Sequence, residues 1–209
     1  MVFVNASQLK PNDQLREMAR SQLAGRWGIA ILTCFLYFVI IVILNSIKDV
    51  GSLATTLVSG SFALGLSMFF VTFPRGGTPD ISQLFAGFKR FLPALGLSLM
   101  IGLLTFLWTL LLIVPGIIAA LRYSQAFYIM NDNPDIGVMD AIRTSKEMMD
   151  GQKMKLFLLQ LSFIGWFLLG CITFGIAMLW VYPYFLAAMA NFYEDLRQAS
   201  SSTGDPFKD

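Results

Sequence analysis

Histidine is absent from this chain of 209 residues, which removes the commonest general base and the commonest transition-metal ligand together. Charge is scarce too: 13% of residues are charged against 56% hydrophobic and 14% aromatic, where an ordinary globular domain is about 25% charged. So apolar a surface needs lipid around it. The net charge of +2 and the lack of a basic stripe exclude nucleic acid as a partner. The two cysteines, Cys34 and Cys171, lie inside apolar runs and read as packing residues, not as a disulfide. The apolar runs contain no Asp or Glu. A proton-coupled transporter keeps a carboxylate or histidine in the membrane and an aspartyl intramembrane protease needs two aspartates, so both lack their central residue. Ser61, in Gly60-Ser61-Phe62-Ala63, has no histidine to activate it and no glycine where a nucleophile elbow needs one. The chain therefore reads as non-enzymatic, with no catalytic residue, no metal site and no cofactor.

What is present is long apolar sequence. A bilayer core takes about 20 apolar residues as a helix, and Trp27 to Leu44 and Gly51 to Phe73 each supply one span. Phe91 to Met130 carries a single charge and is too long for one crossing, so it folds back, with Pro115-Gly116 as the expected turn. Leu156 to Tyr193 is uncharged and folds back in the same way at Thr173-Phe174-Gly175. The expected fold is an all-α membrane protein of six transmembrane helices arranged as three hairpins. A cleaved signal peptide fits poorly, since the first apolar run follows a charged segment and ends without a small-x-small site.

Orientation follows from lysine and arginine. Lys10, Arg16, Arg20 and Arg26 precede the first span. Arg75, Lys89 and Arg90 lie between the second and third, Arg143, Lys146, Lys153 and Lys155 between the fourth and fifth, and Arg197 and Lys208 after the last. Lys48 alone falls on the other side, and Arg122 is within a span. That asymmetry puts both termini in the cytoplasm of a bacterial inner membrane.

Each cytoplasmic segment has the pattern of an amphipathic interfacial helix. Leu15, Met18, Ala19 and Leu23 share one face, as do Ile81, Leu84, Phe85 and Phe88, and then Val138, Ala141, Ile142, Ser145 and Met149 opposite Asp140, Arg143, Thr144 and Glu147. Each closes on a glycine, Gly25, Gly87 and Gly151, at nearly equal intervals. Thr78-Pro79-Asp80-Ile81 and Asn133-Pro134-Asp135-Ile136 both offer a cap, a first-turn proline and an acid at the positive end of the helix dipole. Lys10-Pro11-Asn12-Asp13 is a weaker copy. The reading is one domain over 1–197, built of three copies of one unit at about 11–73, 78–131 and 134–196, followed by a disordered tail at 198–209, rich in serine with Gly and Pro.

Arg122, the one intramembrane charge, is a functional candidate by default; the alternative is a side chain that snorkels to the outer headgroups. Tyr123 and Gln125 accompany it. In the last span Tyr182-Pro183-Tyr184 and Asn191 suit either a kinked helix lining a cavity or ordinary helix packing. The candidate ligand set is Arg122, Tyr123, Gln125, Tyr182 and Asn191, and the candidate membrane-surface cations are Arg26, Lys89, Arg90, Lys153 and Lys155. Ser52, Thr56, Gly60, Ser61 and Gly65 give the second span a small-residue surface for close packing.

Pro115-Gly116-Ile117-Ile118 followed by Arg122-Tyr123, then Asn133-Pro134, the helix from Ala141 to Met149 closing on Gly151, Phe163-Ile164-Gly165-Trp166, Tyr182-Pro183-Tyr184 and Phe192-Tyr193 together resemble a bacterial membrane family catalogued as domain of unknown function 975. That family is in turn similar to the membrane domain of some glycerophosphodiester phosphodiesterases. The resemblance implies a six-helix polytopic protein and supplies no catalytic residues. The expected role is binding of membrane lipids, anionic ones above all, or of a membrane protein partner at the cytoplasmic leaflet, in envelope lipid handling or protection from membrane-active peptides. The alternative is a small transporter, channel or lipid scramblase whose path passes Arg122.

Overall fold

A computed structural model describes residues 9–47, 51–173 and 175–203; Lys48, Phe174 and the chain after Thr203 lie outside these. Among the described residues every regular element is helical. Helix α1 (Asn12–Leu23) passes through Gly25 into α2 (Trp27–Asn45), and α3 (Gly51–Val71) follows. A short α4 (Ser82–Ala86) and a 3-10 turn (Gly87–Arg90) lead into α5 (Phe91–Leu111), then α6 (Ile113–Tyr123) and α7 (Ala126–Asp132). Helices α8 (Val138–Met148), α9 (Lys153–Leu161), α10 (Ile164–Ile172) and α11 (Met178–Thr203) complete the chain.

Among the described residues, five helical stretches are long and apolar enough to cross a membrane: Trp27–Asn45, Ala54–Val71, Ser82–Leu111, Ile113–Asp132 and Lys153–Ile172. The end of α5 and start of α6 show why lipid is needed. Leu110 to Val114 are 65% to 75% exposed, far more contiguous apolar surface than a soluble monomer tolerates. The opposite end of the molecule holds the tight core, where Leu15, Leu23, Phe69, Phe70, Leu84, Ile129, Met130, Phe192 and Tyr193 are fully buried.

Helix α3 is the central post, packed against α2, α4, α5, α7 and α11. Its small residues explain how. A Cβ on Gly65 would strike the Leu84 carbonyl of α4, one on Gly60 the Ala94 carbonyl of α5, and one on Gly87 the Ser61 carbonyl. The anticipated small-residue surface is thus the half of α3 around Gly60, Ser61 and Gly65. Ser52 and Thr56 face outward, and Thr56 Oγ1 donates back to the Ser52 carbonyl at 2.8 Å.

Several expectations move. The turn before α6 is Leu112, the single extended residue (φ −164°, ψ 149°) between α5 and α6. Pro115 lies in the first turn of α6, where its missing N–H costs nothing, and Gly116 lets α6 close onto Thr109 of α5. The second turn falls where expected, around Gly175 at φ +88°. The cap of α4 is Asp80, whose Oδ1 accepts from the Ser82 N–H at 2.6 Å while Gln83 Oε1 accepts from the Asp80 N–H at 3.3 Å. Asn133 to Ile136 form a turn ahead of α8. Helix α11 runs to Thr203, past Gln198 where a disordered tail was expected, because Leu196, Ala199 and Ser200 are buried in the packed core or beside it. Cys34 is buried, but Cys171 is exposed on the apolar surface and is not a packing residue.

Candidate functional site

Helix six ends and helix seven begins within one membrane-length stretch, and the interruption has an identifiable cause. Ser124 and Gln125 keep near-helical backbone angles. Yet the Gln125 N–H donates to Ser145 Oγ of α8 at 3.2 Å, and that hydroxyl donates to the Arg122 carbonyl at 2.7 Å. Ser145 is fully buried. A side-chain hydroxyl inserted into the helix ladder satisfies both freed backbone groups and bends the helix. The ladder resumes as the Ile129 N–H donates to the Gln125 carbonyl at 3.0 Å.

This break gathers polar atoms that the protein leaves unsatisfied. Gln125 is 2% exposed; its Nε2 donates to Ser124 Oγ at 2.8 Å, while its Oε1 has no hydrogen-bond partner. The Nε of Arg122 is also buried and unpartnered. Buried polar atoms are rarely left so. Helix α6 packs against α8 and α9, which brings Arg122 near the turn between them. There Gly151 sits at φ +77° and Lys153 Nζ pairs with Asp150 Oδ1 at 2.8 Å. The backbone of Arg122 is tied to α8 through the Ser145 hydroxyl, one to two helical turns ahead of that α8–α9 turn.

The five candidate ligand residues do not form one pocket. Arg122, Tyr123 and Gln125 belong to the break. Tyr182 lines a groove of about 390 Å³ between α2 and α11, with Cys34, Phe35, Tyr37, Phe38, Met178 and Leu179. Asn191 lies on a third surface, exchanging amide hydrogen bonds of 3.0 and 2.7 Å with Gln22 of α1. Of the candidate surface cations, Arg26 donates to the Gly77 carbonyl at 2.8 Å and Arg90 to the Met130 carbonyl at 2.6 Å. Lys155 lies 3.7 Å from Asp195, Lys153 pairs with Asp150, and Lys89 is exposed. Most of these cations have a partner within the protein.

A charged clamp at the tightly packed end escaped the sequence reading. Arg75, just after α3, forms a bidentate pair with Asp132 at the end of α7 at 2.9 and 2.7 Å, and its Nε reaches Glu194 of α11 at 3.1 Å. Arg197 also binds Glu194, at 2.7 Å. The Tyr193 hydroxyl donates to Asp132 at 2.8 Å, its ring stacked on Tyr128. Burial pushes the Glu194 carboxyl up, but the guanidiniums of Arg197 and Arg75 hold it below its ordinary range. The available signal was positional: Arg75, Asp132 and Glu194 each follow the second apolar stretch of their unit.

No curated protein and no solved structure gives a significant match to the chain. The likeness to the membrane domain of glycerophosphodiester phosphodiesterases therefore has no support from these comparisons. A family profile described as "Protein of unknown function (DUF975)" matches residues 9–118 and again 109–200. Between them the two matches span almost the whole of the described helical bundle, and the chain belongs to the DUF975 family.

Proposed function

We propose that the chain is a non-enzymatic six-span protein of a bacterial cytoplasmic membrane that binds a lipid or other amphiphile at the cytoplasmic leaflet, with both termini on that side. The apolar first half of α11 is the sixth span. The three units are then repeats, each made of a lead helix (α1, α4 or α8) and a hairpin returning to the clamp that joins Arg75, Asp132 and Glu194. Gly25 and Gly151 support the repeat, since both sit at φ +77° between lead helix and span. Gly87 has an ordinary helical φ of −59° and serves instead in the close approach to Ser61. Reporters fused after Arg26, Phe88, Gly151 and Tyr193 should read cytoplasm, and those near Lys48, Leu112 and Phe174 should read outside. A periplasmic signal after Gly151 would overturn the six-span topology.

The observation that carries the binding role is the interrupted helix with its unsatisfied Arg122 Nε and Gln125 Oε1. A headgroup offering an anionic acceptor and a hydroxyl or ammonium donor completes both. The exposed faces of α1 and α8 mix acids with bases: Asp13, Glu17 and Arg20 on one, Asp140, Arg143, Lys146 and Glu147 on the other. They are poor anionic-lipid binders, which moves the weight to the break. Anionic lipid at about 100 times its Kd should stabilise the native state by about 2.7 kcal/mol, read as a rise in melting temperature in detergent. Arg122→Gln should remove that rise while leaving the lipid-free protein folded. Arg122→Lys should recover only part of it, since an ammonium lacks the guanidinium fork. Equal lipid-induced shifts in all three proteins would refute a ligand site at Arg122.

A further inference from the structure

The break in α6/α7 faces a second polar feature that the amphiphile-binding reading leaves unused. The turn Met149 to Gln152 carries Asp150, whose side chain is 58% exposed, paired at 2.8 Å with Lys153 at the start of α9. The Asp150 carboxyl lies below its ordinary range, first because Lys153 hydrogen-bonds it and in smaller part because the charge of Arg122 reaches it. Lys153 at the start of α9 and Arg122 on α6, whose carbonyl accepts from Ser145 Oγ of α8 at 2.7 Å, therefore flank the same α8–α9 turn. At the helix break itself, Gln125 Oε1 and Arg122 Nε are buried without partners.

Resting on the amphiphile-binding reading, we propose that the helix break and the α8–α9 turn form one phosphate site, with Arg122 and Lys153 as cationic arms and Asp150 as a built-in anion that the ligand displaces, and that the site prefers a phosphomonoester headgroup to a phosphodiester. The reason is charge balance. A phosphodiester carries one negative charge and merely exchanges with Asp150. A phosphomonoester carries about −1.5 to −2 at neutral pH and can neutralise both arms at once, through charge-assisted hydrogen bonds that outmatch the exposed Asp150 pair. Gln125 Oε1 then accepts from a headgroup hydroxyl or from a protonated phosphate oxygen.

The test uses the full chain in detergent, titrated with phosphatidic acid, phosphatidylglycerol and phosphatidylcholine of identical acyl chains, with binding read by native mass spectrometry. Phosphatidic acid should bind about tenfold more tightly than phosphatidylglycerol, the ratio that ~1.4 kcal/mol produces. Lys153→Gln should collapse that ratio towards one. Asp150→Asn, at an exposed surface position, should tighten both anionic lipids by about fivefold, and carries the test alone if Lys153→Gln does not fold. Competition by glycerol 3-phosphate assigns the site to soluble phosphomonoesters, and its failure to compete assigns it to the lipid. Equal binding of the two anionic lipids, a preference that survives Lys153→Gln, or an Asp150→Asn variant with unchanged affinity would each overturn the phosphomonoester site while leaving lipid binding at Arg122 standing. No response to any lipid would remove both.

Discussion

Asp132→Ala is expected to lower stability by about 2–4 kcal/mol, the cost of stranding the partners of a largely desolvated charge. The carboxylate takes two bonds from Arg75 and one from Tyr193, and its removal leaves the guanidinium with Glu194 alone and the phenol without its acceptor. The lower part of that range reflects the partial exposure of Arg75, 32%, because solvent can rehydrate it. Asp132→Asn should cost less, since its oxygen still accepts from Tyr193. Unfolding in mixed detergent checks both, and an Asp132→Ala loss below about 1 kcal/mol, the worth of an exposed pair, would show that the clamp adds little. The clamp also sets a pH dependence. Glu194 is held below its ordinary range by Arg197 and Arg75, so its contribution is present above its unfolded value and is lost as the pH falls through the folded one. Asp195 works the other way: burial raises its carboxyl, so its ionised form detracts from stability at neutral pH and the penalty is relieved on acidification.

Gly65→Ala should destabilise by about 3 kcal/mol, at the upper end of what overpacking usually costs. The added methyl meets the backbone carbonyl of Leu84, which cannot swing away as a flexible side chain would. Helix α4 would have to retreat from α3, carrying with it the 3-10 turn and Arg90, whose bond to the Met130 carbonyl ties α5 to α7. Gly28→Ala is the control, because a Cβ there meets nothing within 4 Å. It should change stability by less than about 0.5 kcal/mol, as surface substitutions usually do. Comparable melting temperatures for Gly65→Ala and Gly28→Ala would mean that the α3–α4 approach is not a close contact in the membrane.

The lead helices show how far amphipathic pattern reaches. The stripe of α8 was legible because Ala141, Ile142, Ser145 and Met149 recur at helical spacing, and all four are buried. Pattern could say that Ser145 faces inward, but not that its hydroxyl enters the ladder of α6/α7, because that depends on which helix packs there. The same limit holds for Arg122. Its isolation among apolar residues marked it as costly, yet the helices packed against its own, α8 and α9, come from a later unit. Turn chemistry misled by a few residues at Pro115-Gly116, since proline in a first helical turn and proline in a loop look alike from local sequence.

Composition and apolar run length determined the all-helical, membrane-length elements, because in lipid only internally hydrogen-bonded helices can be built from such uncharged stretches. Which small residues would touch, where helix six would break and which charges would meet were decided by tertiary structure. Arg75, Asp132, Glu194 and Arg197 read individually as loop or helix-end charges, and Gln22 and Asn191 as unrelated amides. They become a clamp and a paired contact only when the helices around α3 bring segments distant in sequence to the same end of the bundle, where a charge is stable only beside its partner.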